Sequence, residues 1–155
     1  MSKDPALDPE VAPSELSTFD WQTLLDPVEF SILRESGTER PGTGRYLDEE
    51  RSGAYHCAGC GQKLYEATHK FHSGCGWPSF FQEAEPGAIT THTDTSHWMV
   101  RTEMRCSRCG GHLGHVFADA PQTPTGNRHC VNGFALVFVP EGEDSAAVLA
   151  AHRAR

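Results

Sequence analysis

Short apolar stretches separated by turn-forming residues dominate the chain after residue 44. Five of them are rich in β-branched or aromatic residues and lie between clusters of Gly, Pro, Asp and Ser: AYHC, KLYEA, HWMVRTEMRC, HVFA and FALVFVP. HWMVRTEMRC alternates in part between apolar and polar residues, as a half-buried strand does, whereas FALVFV is almost wholly apolar, as in a central strand. The pattern predicts a mainly β protein with antiparallel strands.

One stretch before these strands has the pattern of a helix. In DPVEFSILRESG, Asp26 and Glu29 have the spacing of a capping box, and Pro27 occupies the first helical position. Gly37 follows as a stop signal. The apolar residues between these signals predict a helix that packs one face on the core.

The pattern divides the chain into three parts. Residues 1–17 are rich in Pro, Asp, Glu and Ser, which predicts a mobile tail. Residues 18–140 carry the predicted helix and strands and form one domain, and residues 141–155 form a C-terminal tail or a short helix. A chain of 155 residues is long enough for one domain with its own core.

Charge and cysteine content limit the partners and the compartment. The formal net charge is −8, so the chain has no overall basic footprint, which argues against a nucleic-acid or anionic-membrane partner. No apolar run has the length of a signal peptide core or a membrane span, so we expect a cytoplasmic protein. In a reducing compartment, six cysteines predict metal ligands and reactive thiols.

Four of the cysteines form two CxxC pairs in two related stretches, HCAGCGQKLYEA and RCSRCGGHLGHVFA. Two such turns supply the four sulfurs of a tetrahedral Zn²⁺ site. The predicted ligands are Cys57, Cys60, Cys106 and Cys109. The alternatives are iron in the same site, structural disulfides, or a redox CxxC, for which the usual βαβ context is missing. A site closed by four cysteines has no open coordination position, so the metal would be structural.

The other two cysteines stand alone. Cys75 lies in SGCGWPSF between two glycines, and Cys130 follows Arg128 and His129 in RHCVNG. Cationic neighbours favour a thiolate, which is the nucleophilic form of cysteine. The alternative is that each is a small buried apolar residue. The polar sequence before Cys130 favours a reactive thiol.

Several polar and aromatic residues are further candidates. His112 and His115 are three apart in GGHLGHVFADA, and imidazoles titrate near neutral pH, which suits proton donation. They could instead support the metal site or serve as ordinary buried histidines. Trp77 could line a pocket or belong to the core, and Asn132 is equally ambiguous from the sequence.

Four long motifs, taken together, resemble one known family. GTERPGTGRY, SGCGWPSF, RTEMRCSRCGGHLGHVF and PTGNRHCVNG occur in this order, and they closely resemble the B-type methionine sulfoxide reductases, which reduce methionine-R-sulfoxide. The resemblance extends from about residue 18 to residue 140. It implies two small antiparallel sheets with N-terminal helices and a structural zinc site of four cysteines, and we expect a monomer.

The resemblance also implies roles for the candidate residues. Cys130 matches the catalytic nucleophile and Cys75 the usual resolving cysteine, and the four CxxC cysteines match the zinc ligands. The remaining matches are His112, His115 and Asn132 as polar residues around the sulfoxide, Trp77 against the substrate methyl group, and Arg128 beside the nucleophile.

These roles imply a reaction in three steps. Cys130 attacks the sulfoxide sulfur while His115, supported by His112 and Asn132, donates to its oxygen. Methionine leaves a sulfenic acid on Cys130. Cys75 converts it to a disulfide, which thioredoxin reduces.

Three other functions compete with this hypothesis. The first is a non-catalytic zinc-binding module for protein interaction, which would not need Cys130. The second is a zinc-ribbon nucleic-acid binder, which the acidic charge disfavours. The third is a thiol enzyme that reduces peroxide with the same two cysteines.

Overall fold

Two antiparallel sheets and three helices make up the part of the chain that the structure describes. The structure is a computed structural model and describes residues 4–154. The helices are α1 (Thr18–Leu24), α2 (Pro27–Glu35) and α3 (Ser145–Arg153). The strands are β1 (Gly53–Cys57), β2 (Lys63–Glu66), β3 (Lys70–Phe71), β4 (Ser79–Phe80), β5 (Ile89–Asp94), β6 (Arg101–Cys106), β7 (His112–Phe117), β8 (Arg128–Val131) and β9 (Leu136–Pro140).

The strands divide into a small sheet and a larger one. The small sheet has the order β2-β1-β9, and the larger sheet has the order β3-β4-β8-β7-β6-β5. Every pairing is antiparallel. The predicted fold class, mainly β with two antiparallel sheets and N-terminal helices, is therefore confirmed.

Aromatic side chains join the two sheets. The Tyr65 ring of the small sheet stacks on the Phe80 ring of the larger sheet at a centroid distance of 4.3 Å. Tyr55 meets the same Phe80 ring edge-on at 5.1 Å. All three side chains are fully buried, and stacked and edge-on ring pairs add to the stabilisation that burial gives. The core therefore lies where these strands meet.

The predicted helix is α2, and its start is as expected. Asp26 accepts from the Glu29 amide, and the Glu29 carboxylate accepts from the Asp26 amide, so the capping box is complete. At the other end Ser36, not Gly37, adopts the left-handed conformation. Gly37 has a different role: a β-carbon there would lie 2.8 Å from the Ser31 carbonyl oxygen. The glycine therefore allows a close backbone approach.

Two predicted strands begin later than expected. The strand predicted over residues 97–106 begins at Arg101, because His97 and Trp98 have the left-handed angles φ 57° and φ 60°. The final strand begins at Leu136, because Gly133–Ala135 forms a 3₁₀ turn. Strands β3, β4, β5 and β8 were not predicted: β3 and β4 have only two residues each, and the sequences of β5 and β8 are largely polar and lack a clear period of two.

The N-terminal segment lies against the second CxxC turn. The Arg108 guanidinium donates to the carbonyl groups of Ala6, Asp8 and Val11, and Ala6 is fully buried. Residues 1–3 of the predicted mobile tail lie outside the described residues. The boundaries at 17 and 140 stay predictions, and these contacts attach part of the predicted tail to the domain.

The C-terminal segment contains a helix, the second of the two predicted possibilities. Asp144 caps α3 by accepting from the Ala147 amide, and Leu149 is buried. Arg153 donates to the carbonyl groups of Ala58 and Gly59 in the first CxxC turn. Among the described residues, no helix has the length and apolar character needed to cross a membrane.

The contacts of Arg108 predict what holds the N-terminal segment. In Arg108→Ala, cleavage at Glu10 by a glutamate-specific protease should become about tenfold faster, because charged hydrogen bonds to three carbonyls are lost. Arg40→Ala removes an exposed arginine and is the matched control. Equal cleavage rates in both variants and the wild type would show that these bonds do not hold the segment.

Candidate active site and metal centre

The register of the larger sheet aligns four reactive side chains. Cys130 of β8 lies opposite Ser79 of β4 on one side and opposite His115 of β7 on the other. His115 in turn lies opposite Glu103 of β6. Directly opposed residues of antiparallel strands point to the same face. A hydroxyl, a thiol, an imidazole and a carboxylate therefore form one row across four strands.

Strands β7 and β8 approach closely beside the thiol. A β-carbon on Gly114 would lie 2.0 Å from the Cys130 carbonyl oxygen. Only a residue without a side chain fits there while the two strands remain paired. Gly114 therefore belongs to the site, and the sequence analysis did not identify it.

The face that carries Cys130 opens into a cleft of about 230 Å³. Six of the seven predicted residues outside the metal site line this cleft: Cys75, Trp77, His115, Arg128, Cys130 and Asn132. These residues are brought together from β7, from β8 and the residue that follows it, and from the segment before β4. The seventh, His112, is not among the lining residues.

The two lone cysteines meet in the cleft. Their Sγ atoms are 3.5 Å apart although the residues are 55 positions apart in sequence. Cys75 also lies 3.0 Å from the Ser73 hydroxyl and 3.4 Å from the Ser79 hydroxyl. Both cysteines are half-buried, so they are accessible from the cleft. Ser73 and Ser79 are further site residues; both lie in SGCGWPSF, although the sequence analysis assigned no role to them.

The contact between the two thiols moves their pKa values in opposite directions. The hydrogen bond with Cys130 and the hydroxyl groups of Ser73 and Ser79 lower the pKa of Cys75 to about 4. The same contact, together with burial, raises the pKa of Cys130, while Arg128 acts in the lowering direction. Two sulfurs this close favour one shared proton and one negative charge. These two shifts favour the negative charge of the reduced pair on Cys75.

His115 is held by an acidic partner from a neighbouring strand. Its Nε2 atom lies 2.7 Å from Asp94 Oδ2. Arg101, which faces Asp94 across the β5–β6 pair, lies 3.4 Å from the same oxygen. The hydrogen bonds of Ser96 and His115 lower the pKa of Asp94, so the carboxylate is ionised at neutral pH. Asp94 is a site residue that sequence reasoning missed.

His112 lies behind the cleft. It is 4% exposed, and its Nδ1 atom lies 2.6 Å from Glu103 Oε2. Burial lowers the pKa of His112. An irregularity in the β6–β7 register places Leu113 as an extra residue and brings the two histidine rings to 5.5 Å. The partner of His112 is a carboxylate, and this contact does not link it to the cysteine cluster.

Trp77 and Asn132 are both tied to the backbone of one residue, Glu39. The Glu39 amide donates to Asn132 Oδ1 at 3.0 Å, and its carbonyl accepts from Trp77 Nε1 at 3.0 Å. Asn132 Nδ2 donates to the Leu113 carbonyl. Both polar ends of the Asn132 side chain therefore hold backbone segments around the cleft. The sequence analysis did not identify Glu39, although it belongs to GTERPGTGRY, one of the motifs that carry the family resemblance.

Arg128 lies beside the nucleophile candidate in a fixed position. Two of its nitrogens donate to the Asp119 carboxylate at 3.0 and 2.9 Å. Its guanidinium carbon lies 4.5 Å from the centroid of the Phe117 ring. A paired and stacked guanidinium keeps its place and its charge, so Arg128 supplies a lasting positive charge near Cys130.

The four CxxC cysteines form a buried cluster. Their sulfurs all lie within 4.8 Å of one another, with 3.7 Å between Cys57 and Cys109 and 3.5 Å between Cys60 and Cys106. A tetrahedral ion with metal–sulfur bonds of about 2.3 Å needs sulfurs about 3.8 Å apart. The cluster therefore fits a metal ion.

The turns around the cluster follow one design. The Cys57 amide donates to the Gln62 carbonyl, and the Cys106 amide donates to the Gly111 carbonyl. An amide also points at one sulfur in each turn at 3.3 Å: that of Gly59 at Cys57, the first cysteine of its pair, and that of Gly111 at Cys109, the second cysteine of its pair. Such amide donors stabilise thiolates. The repeat seen in the sequence thus corresponds to two matching hairpin turns.

The fold thus carries a cleft in which two cysteines meet and, apart from it, a buried cluster of four cysteines, an arrangement typical of thiol-dependent oxidoreductases. Residues 25–140 match the SelR domain, and the chain belongs to this family. The resemblance to B-type methionine sulfoxide reductases is thereby confirmed, and the enzyme hypothesis prevails over the non-catalytic zinc module.

Relatives from distant bacteria cover most of the chain. A peptide methionine sulfoxide reductase MsrB of Agrobacterium fabrum is 54% identical over 124 residues, which are 80% of this chain and 91% of the relative. The protein of the same name from Leifsonia xyli is 50% identical over 124 residues, 80% and 89% of the two chains. The one from Synechococcus is 52% identical over 126 residues, 81% and 92% of the two chains.

The pKa of Cys75 gives a spectroscopic prediction. In the reduced protein, ultraviolet thiolate absorbance should rise with a midpoint near pH 4, because the thiolate form of Cys75 predominates above its pKa. Cys75→Ser should remove this step. The absorbance of the four-cysteine cluster is common to both proteins, so it cancels when one titration is subtracted from the other. Ser79→Ala should move the midpoint upward, since one hydroxyl donor is lost. A step that persists in Cys75→Ser would place the thiolate on another residue.

Proposed function

We propose that this protein reduces methionine-R-sulfoxide to methionine, with Cys130 as the nucleophile and Cys75 as the resolving cysteine. The observation that carries the proposal is the 3.5 Å contact between these sulfurs in a cleft that also holds His115. A sulfoxide reductase needs a thiol, a proton donor and a second thiol within reach of one small side chain. Membership of the SelR family supports the same chemistry.

The first step transfers oxygen from the substrate to Cys130. The sulfoxide sulfur becomes a good electrophile only when its oxygen is protonated or strongly hydrogen-bonded. His115 lines the cleft and is held by Asp94, so it is the proton donor, whereas His112 supports the donor from behind. The Cys130 thiolate bonds to the sulfoxide sulfur, and the oxygen takes up a proton from His115. The oxygen then bonds to the Cys130 sulfur as the S–O and S–S bonds to the substrate sulfur break, so methionine leaves and Cys130 becomes a sulfenic acid. The substrate sulfur is reduced by two electrons and the Cys130 sulfur is oxidised by two.

The thiol pair prepares the nucleophile. In the substrate-free cleft the proton of the pair lies on Cys130, because contact with Cys75 raises the pKa of Cys130. As substrate approaches, the Cys130 proton passes across the 3.5 Å contact to the Cys75 thiolate, and the two sulfurs then separate to admit the sulfoxide. Arg128 then stabilises the Cys130 thiolate. Cys75 is thus both the proton acceptor before attack and the resolving group after it.

The second step closes a disulfide. The Cys75 sulfur attacks the sulfenic sulfur of Cys130, the S–O bond breaks, and the oxygen leaves as water after taking up protons. Glycines on both sides of Cys75 adopt left-handed φ values of 79° and 91°, which permits the turn that brings its sulfur to the nucleophile. A dithiol such as thioredoxin then reduces the disulfide by exchange.

Stereoselectivity follows from the shape of the cleft. Trp77 packs against the substrate methyl group, and His115 donates a hydrogen bond to the sulfoxide oxygen. In the S epimer the oxygen and the lone pair exchange places, so the hydrogen bond to oxygen is lost. A site built to hydrogen-bond a substrate group discriminates by about 10⁴-fold against the analogue that cannot form the bond.

The cysteine cluster would hold Zn²⁺ as a structural ion. Its four sulfurs leave no open coordination position, so the ion takes no part in the reaction. Cys57 ends β1 and Cys60 lies in the turn after it, whereas Cys106 ends β6 and Cys109 lies in the turn before β7. The ion would therefore link the small sheet to the larger one.

We propose that the enzyme acts as a monomer in the cytoplasm, where a dithiol reductant is available and where the four-cysteine cluster stays reduced. The net charge of −8 supports the absence of nucleic-acid and anionic-membrane partners.

Turnover of the separate R and S epimers of blocked methionine sulfoxide, driven by dithiothreitol, tests the two cysteine roles. The wild type should reduce the R epimer only, and Cys130→Ser should lower the rate by at least about 10³-fold. Without reductant, wild type and Cys75→Ser should each yield one methionine per chain. The wild type should then lose two thiols and Cys75→Ser one, because only the wild type closes a disulfide.

Two outcomes would contradict the proposal. If zinc-loaded wild type reduces neither epimer, the enzyme is not a sulfoxide reductase. If Cys130→Ser remains active while Cys75→Ser is inactive, the two roles are exchanged.

Metal analysis and thermal unfolding test the cysteine cluster. Cys57→Ser should lose the ion and lower the Tm by more than about 10 °C, because binding energy at a structural zinc site contributes to folding energy. Cys75→Ser should keep one zinc per chain and is the matched control. The finding of iron, or of full stability in Cys57→Ser, would contradict a structural zinc site.

A further inference from the structure

We propose that the loop before β6, centred on Trp98, Met99 and Val100, binds the polypeptide that carries the methionine sulfoxide. The loop favours substrates with apolar residues next to the sulfoxide. This inference rests on the proposed function of the Cys130 cleft. It adds a surface that selects among protein substrates.

The loop exposes an unusual concentration of apolar side chains. Trp98 is 103% exposed, Val100 82% and Met99 46%. Among the large hydrophobic residues exposed in the described part of the chain, the other two are Phe19 and Val28. Single exposed apolar residues are common on protein surfaces, whereas a contiguous group of them marks an interaction surface.

The backbone of the loop holds Trp98 outward at a conformational cost. His97 and Trp98 both adopt left-handed φ angles, 57° and 60°, which residues with a β-carbon rarely adopt. The Trp98 ring is fully exposed, so burial in the core does not compensate this strain. Strain of this kind is typical of residues that serve a function.

Both ends of the loop are attached to the cleft. Asp94 before the loop contacts His115, and Arg101 after it lines the cleft. Asp94 and Arg101 also pair with each other at 3.4 Å. The apolar residues therefore lie on a short connection between two residues of the site, at its rim.

The size of the cleft and the charge of its rim identify the occupant. A volume of about 230 Å³ is below that of ordinary small-molecule pockets and admits one side chain. The backbone on either side of a protein-bound sulfoxide must therefore lie at the rim. Residues 95–100 carry no Asp, Glu, Lys or Arg, and the charges at both ends neutralise each other. A neutral, apolar rim fits apolar flanking residues.

Trp98→Gly is the informative variant, because glycine accepts the left-handed conformation without strain, so we expect the variant to fold. With dithiothreitol as reductant, kcat/KM is measured for blocked methionine-R-sulfoxide and for a peptide with leucines on both sides of the sulfoxide. The kcat/KM for the peptide divided by that for the blocked amino acid should fall about tenfold in Trp98→Gly, because the contact of Trp98 with the residues that flank the sulfoxide is lost. Val100→Thr, which keeps the side-chain shape, should lower the ratio in the same direction.

Phe19→Ala removes another exposed aromatic side chain, on α1, and should leave the ratio unchanged. An unchanged ratio in Trp98→Gly would overturn the inference while leaving the reductase function intact. So would a higher KM for thioredoxin in Trp98→Gly with an unchanged ratio, because the loop would then bind the reductant. If the wild type reduces neither substrate, the proposed function itself fails.

Discussion

Cys130 faces the cleft because β8 pairs with β7 in a register that sets it opposite His115. Side chains alternate between the two faces of a strand, so a slip by one residue would turn Cys130 away and bring His129 or Val131 to the cleft. Val131 is fully buried, and the buried His129 lies 2.9 Å from the Tyr65 hydroxyl. A slip would expose both and break that contact. The core therefore fixes the register on which the reactive row depends.

The cysteine cluster acts on the same register from the end of the β6–β7 hairpin. Cys106 ends β6, its amide donates to the Gly111 carbonyl, and the Gly111 amide points at the Cys109 sulfur. These bonds set where β7 begins relative to β6. The extra residue Leu113 follows within two positions, and it brings His115 to the cleft face. A metal there would shape the active site without contact to the substrate.

Local sequence patterns were sufficient to predict those parts of the structure that form within short segments. The capping box of α2 and the two cysteine turns form within a few residues, so spacing alone predicts them. The resemblance to a family supplied the pairing of Cys75 with Cys130. Neither route gave Asp94 as the partner of His115, because that contact joins positions 21 apart through the register of three strands. A contact set by strand pairing leaves no local pattern.

One stretch where the pattern failed, residues 97–100, is instructive for function. Residues 97–100 were predicted as strand because an apolar run normally means burial in a sheet. Trp98 and Val100 are instead exposed, on a backbone that turns out of the strand conformation. Trp98 is neither buried in the core nor in a backbone conformation that its residue type prefers, so its presence there does not stabilise the fold. Such local conflicts are expected at functional positions. The failed prediction and the inferred substrate surface thus have the same physical cause.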